Sequence, residues 1–209
     1  SIVNAVESTI ARNSDWVLPI HAGPEIGVAS TKAFLGQMLV LYILCLKISK
    51  IRKDIDDLKY QINIKNLINL PDAIKESLKV ENNIQAMAKE FIDAKGSMFL
   101  GRGFSFPIAL EGALKLKELS YLHAEGYPAG EMKHGPLALI EEGLPVIVIA
   151  PKDKYFEKTI SNMQEVIARG GKILFITDIK KESLNENIRF SLRVPYLDNL
   201  LSPILLTLP

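Results

Sequence analysis

VIVIAPKDKYFEKTISNMQEVIARGGKILFIT, Val146 to Thr177, decides the fold class. Val146 to Ala150 and Ile173 to Thr177 are almost wholly apolar, whereas a strand with one wet face would alternate. Between them, Lys154 to Arg169 has helical spacing and closes on Gly170-Gly171, the residue type that ends helices because it reaches left-handed backbone without a Cβ clash. Strand, helix and strand in this order form a crossover unit. Uninterrupted apolar strands belong to a parallel sheet covered on both faces, so the class is α/β.

Working outward, a last strand is expected near Phe190 to Val194, and Ser202-Pro203 reads as a helix start. Upstream, Ser97 to Leu100 predicts a strand, Gly101-Arg102-Gly103 a tight turn, and Pro107 to Tyr121 a helix, followed by an irregular segment. Ile84, Met87, Ala88 and Phe91 form an apolar helical stripe. So do Ile55, Leu58, Ile62 and Leu67, a pattern that Pro71 is expected to interrupt. The opening segment reads as a polar helix to about Asn13, a strand from Trp16 to Ile20, the loop HAGPEIGVAS, and a helix from Thr31 to about Lys50. Ser30 is the natural N-cap of that helix, and a glycine-bearing loop meeting a helix start suits anion binding. The expected divisions are 1–50, a partial first domain; 51–80, a helical connection; and 81–209, a second domain.

The 209 residues are 48% apolar, enough for a sizeable core. Twenty-five basic against 24 acidic residues leave a net charge of +1, which offers nucleic acid or an anionic membrane no broad attraction. One cysteine, Cys45, cannot make an internal disulfide, and no secretory leader opens the sequence, so a cytoplasmic location is expected. Met38 to Leu46 falls well short of the roughly 20 residues that span a bilayer and reads as a buried helix with Cys45 packed inside it. Ala33 to Ile51 as a whole reads as core or subunit interface. His21, His123 and His134 lack zinc-ligand spacing, and neither a metal nor a cofactor is expected. A chain that starts at Ser1 and stops at Pro209, just after a helix start, reads as cut from larger units at both ends.

On a helical wheel of Pro107 to Tyr121, Glu111, Lys115 and Glu118 share one narrow stripe. Leu110, Ala113, Leu114, Leu116, Leu119 and Tyr121 fill much of the rest, so the stripe is expected to face a cleft. Two uses fit it equally. It can form ordinary helix ion pairs worth about 0.3–0.5 kcal/mol each. It can also hold a carboxylate as a general base, with burial raising and the lysine lowering its proton affinity.

ASTKAF (Ala29 to Phe34), GRGFSFPIALEGALKLKELSYLHAEGYPAGEMKHGPLALI (Gly101 to Ile140) and PVIVIAP (Pro145 to Pro151) together resemble the isomerase region of the glucosamine-6-phosphate synthase family. The resemblance extends over essentially the whole chain. It implies sugar isomerase (SIS) domains, each an αβα sandwich around a parallel, flavodoxin-like sheet. It also implies formation of glucosamine 6-phosphate from fructose 6-phosphate and glutamine-derived ammonia, with a proton moved between C1 and C2 of the sugar.

The resemblance puts Glu118 on the base, Lys115 on its active-site neighbour, and His134 on the ring-opening histidine that the neighbouring subunit of a homodimer supplies. Val28 and Ser30 match positions lining the sugar-phosphate pocket, although capping alone would also account for Ser30. Three family parts are expected to lie outside this chain: the glutamine amidotransferase domain, the phosphate-holding serine/threonine loop, and the tail lysine that forms a Schiff base. Little or no activity is therefore expected of this polypeptide alone, and its incomplete first sheet should leave an edge and an apolar helix face uncovered. A sugar-phosphate sensor without chemistry, or a degenerate fragment, is the competing reading.

Overall fold

The computed structural model describes residues 1–180, 188 and 190–209. Two compact units emerge, Ser1–Ile68 and Asn69–Pro209.

In the first unit, β1 (Ile2–Val3) pairs in parallel with β2 (Leu18–Pro19). Between them the short helix α1 (Thr9–Arg12) is capped by Ser8, whose hydroxyl accepts the Ala11 N–H at 3.2 Å. The opening residues are thus a strand and one helical turn, where a polar helix was expected. Ile2 and Val3 gain a partner only through Leu18 and Pro19, a pairing with no local signature. The next helix, α2 (Lys32–Ile51), is long and apolar enough to cross a membrane by length and composition alone, a property shared by core helices of soluble proteins.

The expectation of a buried helix fails for α2. Among its residues only Leu46 is buried, and Leu41, Ile43, Leu44, Ile48 and Cys45 are exposed. Two strands of two residues offer too little apolar surface to cover a helix of 20. The expected packed thiol at Cys45 is accordingly a surface one.

Helix α3 (Asp57–Ser77) starts where the Asp56 carboxylate accepts the Lys59 N–H at 2.7 Å. It runs through Pro71, which was expected to interrupt it. Proline removes one backbone donor but not the burial on either side: Leu70 and Ala73 are both in the core, and that packing keeps the helix continuous. The stripe at Ile84 and Met87 becomes α4 (Glu81–Ala88).

The second unit is built on five parallel strands. They are β3 (Ser97–Gly101), β4 (Ala124–Pro128), β5 (Pro145–Ile149), β6 (Lys172–Thr177) and β7 (Phe190–Arg193). Their order is β4-β3-β5-β6-β7. Numbered within the unit this is 2-1-3-4-5, the flavodoxin-like arrangement that was expected. Every residue of β3 and β5 is buried, and the polar one, Ser97, donates its hydroxyl to the Pro145 carbonyl at 3.1 Å.

Among the described residues the unit also contains helices α5 (Ser105–Ser120), α6 (Phe156–Ile167) and α7 (Ser202–Leu206). Side chains of successive strand residues point to opposite faces. Met98 and Leu100, Val146 and Val148, and Ile173 and Phe175 form one cluster with Met163 and Val166 of α6. Phe99, of opposite parity, lies under Gly112 of α5. The sheet is therefore covered by α6 on one face and α5 on the other, giving three αβα layers.

Strand β4 was not foreseen in HAEGYPAG. Glu125, Gly126 and Pro128 are weak strand formers, and β4 forms because it occupies the sheet edge, with β3 as its neighbour. Gly126 has a second reason to be there. A Cβ at this position would stand 2.9 Å from the Leu110 backbone, so the absence of a side chain lets α5 lie directly on the strand. Replacing Gly126 by Ala should destabilise the chain by about 1–3 kcal/mol, measured by chemical denaturation. An unchanged midpoint would show that the helix can shift without cost.

Candidate active site

Helix α5 is entered by a turn that only glycine permits. A Cβ on Gly101 would lie 2.2 Å from the Ser105 carbonyl oxygen, and Gly103 follows at φ +55°. Ser105 and Phe106 donate their N–H groups back to Arg102 and Gly103 at 3.0 and 3.3 Å. The Gly-Arg-Gly segment is thus a turn closed by its own backbone, as its sequence predicts.

From that turn α5 buries Ser105, Ile108, Ala109 and Ala113. Leu110, Leu114, Leu119 and Tyr121, from the rest of the helix circumference, are exposed in this structure. Between the buried and exposed sides lie Glu111, Lys115 and Glu118, with side chains 15%, 22% and 32% exposed. The Lys115 ammonium donates to Glu118 Oε2 at 2.7 Å and lies 3.5 Å from Glu111 Oε1. One cation therefore bridges two half-buried carboxylates.

Burial pushes the Lys115 ammonium toward losing its proton. The hydrogen bond to Glu118, followed by the charges of Glu111 and Glu118, outweighs burial, and the net shift is upward from 10.5. Lys115 is consequently a fixed cation at neutral pH and not a proton acceptor. Glu118, short-bonded to it and open on its other side, can accept a proton from a substrate carbon.

His134 closes a 3-10 turn, Ala129–His134, and is 76% exposed. Its Nε2 lies 4.0 Å from Glu131 Oε2, on the same turn. Val28 and Ser30 belong to the first unit, on the exposed loop before α2; Val28 is 88% exposed. Thus the contacts on α5 join Lys115 to Glu118 and Glu111, whereas His134 and Val28 present their side chains to solvent and Ser30 is bonded within its own loop. Among the described residues no group of three or more His, Cys, Asp or Glu is placed to hold a metal ion.

The start of α2 departs from the expected capping. Ser30 is not the cap; its hydroxyl donates to Glu25 Oε2 at 3.1 Å. Glu25 Oε1 instead accepts the N–H groups of Thr31 and Ala33 at 2.7 and 3.2 Å. The place that suited an external anion is filled by the chain's own carboxylate. The residue was missed because it lies six positions before Thr31, outside the usual capping spacing, and only the fold of the loop carries it back.

A family profile for the SIS domain matches residues 90–206. The chain belongs to the SIS domain family. Among curated relatives, the glutamine--fructose-6-phosphate aminotransferase [isomerizing] of Bartonella henselae is 50% identical over 210 aligned positions, covering all of this chain and 35% of the relative. That of Agrobacterium fabrum is 51% identical over 211, with the same coverage. The chain thus spans about a third of the length of the curated relatives it matches. A solved structure, the C-terminal domain of glucosamine-fructose-6-phosphate aminotransferase from Francisella tularensis, superposes with a TM-score of 0.95 at 42% identity, over all of this chain and 59% of that one. The resemblance read from the three motif blocks is therefore upheld across the whole chain.

Two consequences are measurable. The hydrogen bonds from Thr31 and Ala33 lower the Glu25 carboxyl from its ordinary 4.5, so its contribution to stability is present above that value and lost as pH falls through the lowered one. The stability difference between the wild type and Glu25→Gln should shrink toward zero in that acidic window, as followed by thermal unfolding. A difference independent of pH would refute the cap.

Lys115 has the opposite sign. Its raised value means that its contribution is full below 10.5 and disappears as pH rises through the folded-state value. Lys115→Met should lower stability at neutral pH by about 1 kcal/mol and flatten the alkaline loss.

Proposed function

We propose that this chain carries the proton-transfer centre of a ketose-aldose isomerase acting on a phosphorylated hexose, within an enzyme that makes glucosamine 6-phosphate from fructose 6-phosphate. The observation that carries the reading is the Lys115 ammonium 2.7 Å from Glu118 on the half-buried stripe of α5. The aminotransferase names of relatives about half identical to the chain support it. A metal or redox group is not part of the reading.

In this reading Glu118 takes the proton from C1 of the imine formed at C2 and delivers it to C2, while the C1 hydroxyl gives up its proton and the nitrogen gains one, so that C2=N becomes an amine, C1 becomes the carbonyl and the aldose results. Lys115 positions the Glu118 carboxylate through its hydrogen bond and offers positive charge to the imine nitrogen, which gains electron density as the C1 proton leaves. His134, from the partner copy in a homodimer, opens the sugar ring, its imidazole having one nitrogen to give a proton and one to take it. Val28 and Ser30 line the pocket. A cytoplasmic location goes with this reading.

The exposure of Val28 and His134 bears on activity. Proton abstraction from carbon is fast only where water is excluded and the groups are held in place. Turnover by the chain alone should accordingly be negligible.

Grafted in place of the corresponding segment of the Francisella tularensis C-terminal domain, this segment should interconvert fructose 6-phosphate and glucose 6-phosphate. Glu118→Gln in that chimera should reduce kcat by about 10²–10⁴-fold. Full activity of the Gln variant would exclude Glu118 as the base. Mixed dimers of Glu118→Gln and His134→Ala chimeras should regain part of the activity, because one interface then has both groups intact. Mixed dimers without recovery would count against a shared site.

A further inference from the structure

The turn Ala129–His134 is pinned to its unit at almost every step that leads to His134. Ala129 and Met132 are inaccessible and belong to the core cluster that Met163 and Val166 of α6 also join. Between them, the Arg102 guanidinium fills the place of a side chain at Gly130, where a Cβ would lie 2.5 Å from one of its nitrogens. Gly135 follows at φ +142°, a backbone open to glycine and strained for other residues. The constraint on His134 therefore comes from the residues before it.

Two polar links from α6 supply that constraint. Asn162, 8% exposed, turns its amide nitrogen to the carbonyls of Lys158 and Ala129, at 3.0 and 3.1 Å. One helical turn on, Glu165 Oε1 lies 2.9 Å from the Lys133 ammonium. The other oxygen, Glu165 Oε2, is buried with no hydrogen-bond partner among the described residues, so Lys133 is the cation that offsets the burial of this carboxylate. The two links hold the first residue of the turn and the neighbour of its last.

We propose that Asn162 and Glu165 are positioning residues for ring opening: through Ala129 and Lys133 they set where the His134 imidazole stands. The inference rests on the reading of His134 as the ring-opening group. Opening a furanose breaks the bond between C2 and the ring oxygen; the anomeric hydroxyl loses its proton as C2 becomes a carbonyl, and the ring oxygen gains one. An imidazole that moves both protons has to stay within hydrogen-bond reach of two oxygens. The His134 ring is 76% exposed and 4.0 Å from Glu131 Oε2, so its own contacts hold it weakly and the backbone has to supply the precision.

The test uses the Francisella tularensis chimera and two substrates: fructose 6-phosphate, and 5-deoxyfructose 6-phosphate, which lacks the hydroxyl that closes the ring. Exchange of a C1 proton for solvent deuterium is followed for both. Glu165→Gln, Asn162→Ala and Lys133→Met should each lower kcat on fructose 6-phosphate about tenfold with KM unchanged, and leave the open-chain analogue unaffected. On a His134→Ala background they should cause no further loss. Lys133 is 63% exposed, so Lys133→Met carries the test where a change on α6 impairs folding. Equal losses on both substrates, no loss on either, or losses that add to that of His134→Ala would overturn the proposal. His134→Ala separates the two failures. If it slows only the ring-closed substrate while the α6 variants do not, the positioning role alone falls; if it slows both or neither, the ring-opening reading falls and the positioning role with it.

Discussion

Helix α5 lies so close to the sheet that at Gly126 there is no room for a side chain between the strand and the Leu110 backbone, and at Gly112 a Cβ would meet the Phe99 ring at 2.7 Å. Ala109 and Ala113, both essentially inaccessible, continue the same contact. Small residues on both partners fix the rotation of the helix about its axis, since turning it would drive larger side chains into the strands. The direction in which Glu111, Lys115 and Glu118 point follows from that rotation. A stripe of the same sequence on a loosely held helix would be a set of interchangeable surface ion pairs.

Carboxylates are held in two different ways in this chain. Glu118 is held by a point cation, Lys115, and remains partly open to solvent. Glu25 is held by backbone N–H groups at the start of α2, with its oxygens turned into the chain. The first arrangement leaves lone pairs open to solvent, and the second consumes them in structure. The identity of the donor separates the two: a flexible ammonium can share its carboxylate, whereas helix N–H groups engage it in fixed directions.

Much of the second unit was legible before any coordinates. Unbroken apolar runs at Val146 to Ala150 and Ile173 to Thr177 announced buried parallel strands, and β5 and β6 are those strands. Strand β4 was illegible because its residues are poor strand formers that pair only where β3 offers an edge. Pro71 misled for the converse reason: the local rule against proline is outweighed where Leu70 and Ala73 are buried. On α5 the spacing of Glu111, Lys115 and Glu118 was visible, but the choice of Glu118 as the closer partner of Lys115 depends on rotamers that spacing does not specify.

The sequence by itself determined the α/β class, the parallel sheet and the stripe on α5, because hydrophobic periodicity and helix geometry are local properties repeated along the chain. Only the tertiary structure decided that Glu25 rather than Ser30 caps α2, that Cys45 is exposed, and that the Ser202 hydroxyl is buried with no hydrogen-bond partner among the described residues. Each of these depends on which distant segment arrives to donate, cover or leave a gap. Such arrivals are set by packing across the fold and leave no periodic trace in the residues themselves.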